Sequence, residues 1–453
     1  MKNYFTVAKF LLVFPVVGIV VVTVSTLFPF IVGKYVLFRT SVDLSLIVFL
    51  LGLLFQDAEG IMLRRVFAVL KRPLVVAVSI FVAIFLLASF FAFDPMMAFW
   101  SNFERGEGGL QLLHLWLFFV LLVTLFREKK DWRMIFWWTI VGGALSGIYG
   151  IFAGLGVSGF IGALFSDPGF RFQGSIGNPA YVAAYAIFLL FYVFYLLSSE
   201  YRRRLMSPGG IILLILGAGF LGMFFSAATR GAFLGLIAAV LVFLLYVMYS
   251  HKKWRRWMIV ASLLIVAVVG SFVYFKDTTF VKSIPGSRIF DISFKTETFQ
   301  DRATMWKIAL DGFRDQPLLG WGPENYLNIF DRRFNIEYFA PSAGFGAWFD
   351  RAHSVYFDYL AETGILGFLS FLSIFVVFYW QFIRFSKKQF SLQGNSNRVS
   401  YVPILERGLL SAILVAYLVQ GLVLFDVYTI YINLYLLLAF SAFTFQETLG
   451  THN

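Results

Sequence analysis

Long apolar runs separated by short polar segments fill most of the chain. Windows of roughly 20 apolar residues, the length that crosses a hydrocarbon core as a helix, begin near residues 9, 36, 73, 109, 134, 179, 209, 231, 258, 363, 408 and 427. This pattern predicts an all-α polytopic membrane protein of about twelve transmembrane helices with one long helical extracytoplasmic loop. The first run, Phe10 to Phe30, follows Lys2 and Lys9 as a signal sequence would. It is long and lacks a small-x-small cleavage site, so it reads as a retained first span. The expected organisation is a bundle of about nine spans over residues 1–275, a loop module over 276–352, and a histidine-bearing segment with the last three spans over 353–453.

Composition agrees with that pattern. Hydrophobic residues make up 60% of the chain, charged residues 14%, and the mean hydropathy is +0.80; a soluble domain keeps about a quarter of its residues charged. The net charge of +12 arises from short Lys and Arg clusters between apolar runs, which argues against disordered, collagenous and nucleic-acid-binding classes. With no cysteine, disulfides, thiolate metal sites and a cysteine nucleophile are excluded.

The clusters set an orientation. If the N-terminus is cytoplasmic, the inner segments hold Lys2, Lys9, Arg64, Arg65, Lys71, Arg72, Arg127, Lys129, Lys130, Arg133, Arg202 to Arg204, Lys252, Lys253, Arg255, Arg256, Arg384, Lys387, Lys388, Arg398 and Arg407. The short outer segments hold Lys34, Arg39, Arg105, Arg171 and Arg230. By the positive-inside rule both termini are then cytoplasmic. The long outer loop balances ten basic against ten acidic residues and so reads as a folded module. Within it, Arg302, Trp306, Ala309 and Phe313 recur at helical spacing ahead of Pro317, a second short helix follows Pro323, and Leu319-Gly-Trp-Gly-Pro323 forms the turn between them. Ala340 to Trp348, rich in Gly, Ala and aromatics, suits the headgroup level.

Ionisable residues beside or within apolar runs cost about 2.5 to 3.5 kcal/mol at a helix centre, so each needs a reason. Arg230 stands in a tight outer turn, Ser226-Ala-Ala-Thr-Arg-Gly-Ala232. It either snorkels to headgroups or, flanked by small residues, meets an anionic ligand together with the backbone. Arg171 precedes Gly177-Asn-Pro179, where a guanidinium fork and a helix start can hold phosphate oxygens; Asn178 reads first as a helix cap with Pro179 at the first helical position. Of the four histidines, His251 and His452 read as solvated and His114 as an interhelix contact. His353 stands at the end of the long loop just before a helix. An imidazole there can take a proton from a hydroxyl nucleophile at neutral pH, or can cap and pack. Metal ligation is poorly served: no Asp-x-Asp or His-Glu-x-x-His occurs, Asp57 and Glu59 fall on the inner side, and Glu297 with Asp301 suits a solvated helix face. Gly150-x-x-x-Gly154 and Gly231-x-x-x-Gly235 fit close helix packing.

These residues resemble the O-antigen ligase family of bacterial membrane glycosyltransferases, which also includes O-antigen polymerases and protein O-oligosaccharyltransferases. The resemblance is carried by His353-Ser354, nine residues and then Gly364-Ile-Leu-Gly367, which fits the family's His-[Asn/Ser/Gln]-x9-Gly-x-x-Gly signature. Arg171 with Gly177-Asn-Pro179, Ser226-x-x-Thr-Arg-Gly231, Arg302-x-x-x-Trp306 and Pro317-x-x-Gly-x-Gly322-x-x-Asn325 add to it, over about residues 140 to 440. The resemblance implies a GT-C type architecture in the cytoplasmic membrane with the site facing the periplasm or cell exterior. It also implies inverting transfer of a glycan from a polyprenyl diphosphate carrier to a glycan, lipid or protein acceptor, without metal or other cofactor. His353 would be the catalytic base, and Arg171 and Arg230 would bind the diphosphate. Arg302 would add an anion contact or position the loop, and Glu362 would orient His353 or pair locally. The competing class is a transporter or flippase of an anionic lipid-linked solute; it accounts less well for charge and the well-placed histidine gathering on one face. A purely structural scaffold predicts no such gathering.

Overall fold

The computed structural model describes residues 3–102, 104–153, 156–167, 169–293, 296–334, 348–392 and 402–449. Every regular element among them is helical. Nine of these described helices are long and apolar enough to cross a membrane: Val32–Phe55, Pro73–Phe90, Lys129–Phe152, Pro179–Ser199, Pro208–Ser226, Arg230–Ser250, Lys252–Tyr274, Val355–Ser391 and Tyr428–Gln446. Shorter apolar helices occupy Tyr4–Val20 and Gly109–Leu125, and Ile404–Gln420 fills the remaining window. The protein is an all-α polytopic membrane protein.

The first window departs from the expected single span through Phe30. Tyr4–Leu11 is helical, the chain breaks, and Phe14–Val17 runs into a short 3-10 turn, Gly18–Val20. Pro15 has no amide hydrogen to donate to the preceding turn. Beyond Val20 the chain folds back on itself, with the Thr23 amide donating to the Pro29 carbonyl at 2.9 Å. The window placed near residue 363 also starts late: that helix begins at Val355 and is broken at Gly364 (φ 63°, ψ −167°). Its first turns carry Asp358 and Glu362, which lower the apolar signal although both are buried.

Pro179–Ser199 and Tyr428–Leu449 form the buried centre of the bundle. Arg230–Ser250 packs along Ile404–Gln420 so closely that a methyl at Gly235 would lie 2.8 Å from the Ala416 carbonyl, and one at Gly231 2.4 Å from Val423. The Gly231-x-x-x-Gly235 spacing thus marks a helix seam; Gly154 lies outside the described residues, as do residues 340–347, Arg398 and His452.

Polar contacts sort the connecting segments to two ends of the bundle. At one end Lys9 pairs with Asp131 (2.7 Å), Arg133 with Glu200 (3.0 Å), and Arg65 donates to the Thr124 carbonyl (2.7 Å). At the other Arg105 pairs with Asp350, Arg230 with Asp291, and Asn325 with the Asp94 backbone. Each group joins segments that the charge pattern assigns to the same side.

In the loop, Glu297–Asp315 and Tyr326–Arg332 are helical. Their shared core is Met305, Ile308 and Ala309 against Trp321, Tyr326, Ile329 and Phe330. The buried stripe is therefore rotated slightly from the expected one, and Trp306 instead stacks on Phe357 of the bundle (5.3 Å). The turn between these helices docks into the break at Gly364: Trp321 and Gly322 amides donate to the Ala361 and Glu362 carbonyls (3.0 and 2.8 Å), and the Ile365 amide to the Pro317 carbonyl (2.8 Å). A methyl at Gly364 would sit 2.3 Å from the Leu318 carbonyl oxygen.

Candidate active site

At the end of the bundle that carries the loop module, a cavity of about 400 Å³ opens between the Ser226–Arg230 turn, the loop and the start of Pro179–Ser199. Arg171, Asn178, Arg230, Arg302 and His353 all line it, so five of the six candidates, 182 residues apart at the extremes, meet in one place. Arg288, which no motif singled out, lines it too. No Asp or Glu is among its described lining residues.

Local structure explains how each side chain arrives. The segment bearing Arg171 is laid on the Ser226–Arg230 turn: Phe172 donates its amide to the Ser226 carbonyl (3.0 Å), and the Arg171 guanidinium bonds the Ala227 carbonyl (3.1 Å) and Thr229 Oγ1 (3.0 Å). Arg230 is the first residue of its helix, 3.7 Å from Asp291, which is held more tightly by Lys276 at 2.6 Å. Asn178 caps its helix by accepting from the Ala180 amide at 2.8 Å, so the cap reading holds while the residue also faces the cavity. Arg302 comes from the loop helix and Arg288 from a 3-10 turn, Ser287–Phe290.

The electrostatics follow from this gathering. Burial, then the charges of Arg288, Arg230 and Arg302, push the Arg171 guanidinium down to about 10. Arg302 is lowered by burial and by Arg230 and Arg288. Cations that lower one another's affinity for protons are cations that a polyanion would relieve. Planar guanidinium forks match diphosphate oxygens in particular.

His353 has a left-handed backbone (φ 57°) and sits edge-on between Phe349 (5.2 Å) and Phe425 (5.1 Å). Its Nδ1 is 3.1 Å from the Arg351 carbonyl. A carbonyl only accepts, so Nδ1 carries the proton and Nε2 presents a lone pair. Burial first, then Arg302 and Arg105, hold the imidazole below its usual range against the opposing pull of the Arg351 carbonyl and Asp350, which favours the neutral ring.

Residues 218–372 match the family model described as O-Antigen ligase. Over that stretch the chain is similar to the O-antigen ligase family. The family segment takes in the Ser226–Arg230 turn, the loop helices, His353 and the Gly364 break, while Arg171 and Asn178 lie upstream of it and join it through the hydrogen bonds above. No curated protein matches the chain.

Around the histidine of the matched segment, a buried ion cluster and its neighbouring bonds hold the backbone on both sides of His353. Arg351 bonds Glu362 at 3.0 and 3.1 Å, bonds Glu324, and lies 3.6 Å from Glu107. The Ala352 amide donates to Asp358 (2.7 Å), the Val355 amide to the Gly421 carbonyl (2.9 Å), and Arg105 grips Asp350 with two bonds. Glu362, expected to orient His353 or pair locally, pairs with Arg351, two residues before it. Arg351, Glu324 and Glu107 escaped the sequence reading; the one signal for Arg351 was its place two residues ahead of the histidine motif. The other described histidines serve contacts: His114 joins the Leu110 carbonyl (2.7 Å) and Asp43 (3.1 Å), and His251 packs on Trp254. Asp57 caps Ile61–Leu70 by accepting from the Met62 and Leu63 amides. Among the described residues no group of three or more His, Asp or Glu is placed to hold a metal ion.

Proposed function

We propose that this protein is a member of the O-antigen ligase family and transfers a glycan from a polyprenyl diphosphate carrier to an acceptor hydroxyl. The observation that carries the reading is the cavity in which four arginines and a histidine gather with no Asp or Glu among its described lining residues. In the transfer, the acceptor O–H gives its proton to His353 Nε2 and the oxygen bonds to the anomeric carbon. The bond from that carbon to the carrier oxygen breaks, and its electron pair leaves with the polyprenyl diphosphate. A single displacement of this kind inverts the anomeric centre. The charge that develops on the diphosphate is met by Arg171, Arg230, Arg288 and Arg302, in the role a divalent cation fills elsewhere. The proton on His353 then passes to solvent. The segregation of basic segments to the opposite end of the bundle supports a site on the outer side of the cytoplasmic membrane.

The test is transfer by purified protein supplied with a polyprenyl diphosphate-linked oligosaccharide and, in separate reactions, a glycolipid acceptor, a second molecule of the lipid-linked oligosaccharide, and a Ser/Thr-rich peptide. Glycosylation of the first, second or third acceptor identifies a ligase, polymerase or protein glycosyltransferase. Translocation of the intact lipid-linked oligosaccharide across a vesicle membrane without transfer to any acceptor would refute the proposal.

A further inference from the structure

A groove of about 620 Å³ reaches from the basic end of the bundle toward its middle. It runs between the later turns of Pro179–Ser199, the middle of Arg230–Ser250 and the first half of Ile404–Gln420. Leu190, Phe194, Val240, Leu244, Leu409 and Ile413 are among its walls, and Arg202 is the one charged residue of its described lining. Phe194, Leu205 and Leu221, which also line it, are exposed, so the groove is open to the surroundings of the spans. It shares no described lining residue with the arginine cavity and is therefore not a continuation of that site.

Two features define what fits. Water gains almost nothing inside, because Ser198, the other polar lining residue, already gives its hydroxyl to the Tyr195 carbonyl at 3.0 Å; an apolar hollow of this kind favours an alkyl chain. From Ile187 to Ser198 the wall rises about 16 Å at 1.5 Å per residue, close to one leaflet's share of a hydrocarbon core about 30 Å thick. The chain that fits is the acyl chain of a lipid in the leaflet at the basic end.

Arg202 stands where the headgroup of that lipid would lie. It has no hydrogen bond or ion pair among the described residues. The nearby carboxylates are engaged by others: Glu200 pairs with Arg133 at 3.0 Å, and Glu406 is buried and held more strongly by Lys129 and Tyr195 than by Arg202. Arg203 and Arg204 follow, both exposed, so the mouth of the groove is cationic and suits an anionic headgroup.

We propose that this groove binds an acyl chain of an anionic phospholipid from the leaflet at the basic end, with the headgroup phosphate on Arg202. The site is separate from the transfer chemistry, and the inference stands or falls independently of the glycosyl-transfer reading.

The test is native mass spectrometry of delipidated protein titrated with phosphatidylglycerol or with phosphatidylcholine of the same chains. Expected is tighter binding of phosphatidylglycerol by about tenfold or more, since each basic residue near an anionic headgroup contributes roughly fivefold. Arg202→Gln should weaken phosphatidylglycerol by about fivefold and leave phosphatidylcholine unchanged. Val240→Trp, which fills the groove, should weaken both. Lys253→Gln and Leu264→Trp make the same changes at exposed positions outside the groove and should bind as the native protein does. Equal native affinity for the two lipids, unchanged phosphatidylglycerol affinity in Arg202→Gln or in a natively folded Val240→Trp, or equal losses in the controls would overturn the proposal. Unfolding temperatures verify each fold, and Arg202→Gln, at an exposed position, decides alone if Val240→Trp is not native-like. Displacement of phosphatidylglycerol by an equimolar polyprenyl phosphate would give the groove to the carrier's chain and would also overturn it.

Discussion

Gly364→Ala should loosen the loop from the bundle and with it half of the arginine cavity. The native φ of 63° with ψ of −167° belongs to a region populated almost solely by glycine, which costs another residue about 1 to 3 kcal/mol. The added methyl would also lie 2.3 Å from the Leu318 carbonyl and 2.7 Å from the Gly320 amide, so the turn must move. Moving it weakens the bonds from Ile365 to Pro317 and from Trp321 to Ala361 (2.8 and 3.0 Å), each worth about 0.5 to 1.5 kcal/mol. A combined loss of about 3 kcal/mol corresponds to roughly 10²-fold easier opening. Hydrogen–deuterium exchange at the Trp321 and Gly322 amides measures that opening directly and should accelerate by about that factor. Donor affinity should fall with it, because Arg302 and Arg288 are carried by the loop module. Gly219→Ala is the control, since a methyl there meets nothing within 4 Å. Native-like protection of Trp321 and Gly322 in Gly364→Ala, or equal loss in the control, would refute the docking argument.

Arg230→Lys and Arg171→Lys keep charge but lose the planar fork, and each should slow transfer by roughly 10² to 10³, read from single-turnover rates. The pH–rate profile should show an acid limb centred below 6.5, because burial lowers the His353 affinity for protons and only the neutral ring accepts one; activity is lost as pH falls through that value and is retained above it. Transfer should survive excess EDTA, and activity that vanished and returned with Mg²⁺ or Mn²⁺ would contradict the role given to the arginines. Arg351→Met leaves Glu324 and Glu362 buried without their cation and should cost about 3 to 5 kcal/mol of stability, read as a lowered unfolding temperature that Glu324→Gln with Glu362→Gln partly restores.

Hydropathy made the helical architecture legible, because a bilayer admits few alternatives to closed backbone hydrogen bonding. It erred where local chemistry interrupts the apolar signal. Pro15 and the Thr23 to Pro29 turn are hidden inside an apolar run, while Asp358 and Glu362 make the start of a buried helix look polar. Arg171, Arg230, Arg302 and His353 could be singled out because each is isolated in its surroundings or sits in a spaced motif. Arg288 could not, since it lies in a loop of balanced charge where any cation reads as solvated. The cluster of Arg351 with Glu107, Glu324 and Glu362 is invisible for a different reason: its members come from separate segments, and only the docking of the loop on the Gly364 break brings them together.

The account turns on His353 acting as a base beside a separately held diphosphate. Donor binding and glycan transfer by His353→Ala, measured on one preparation whose folding has been verified, test that division most directly. The account predicts that the variant binds the polyprenyl diphosphate-linked oligosaccharide with near-native affinity while transfer falls by roughly 10² to 10⁴. Near-native transfer by His353→Ala would contradict it.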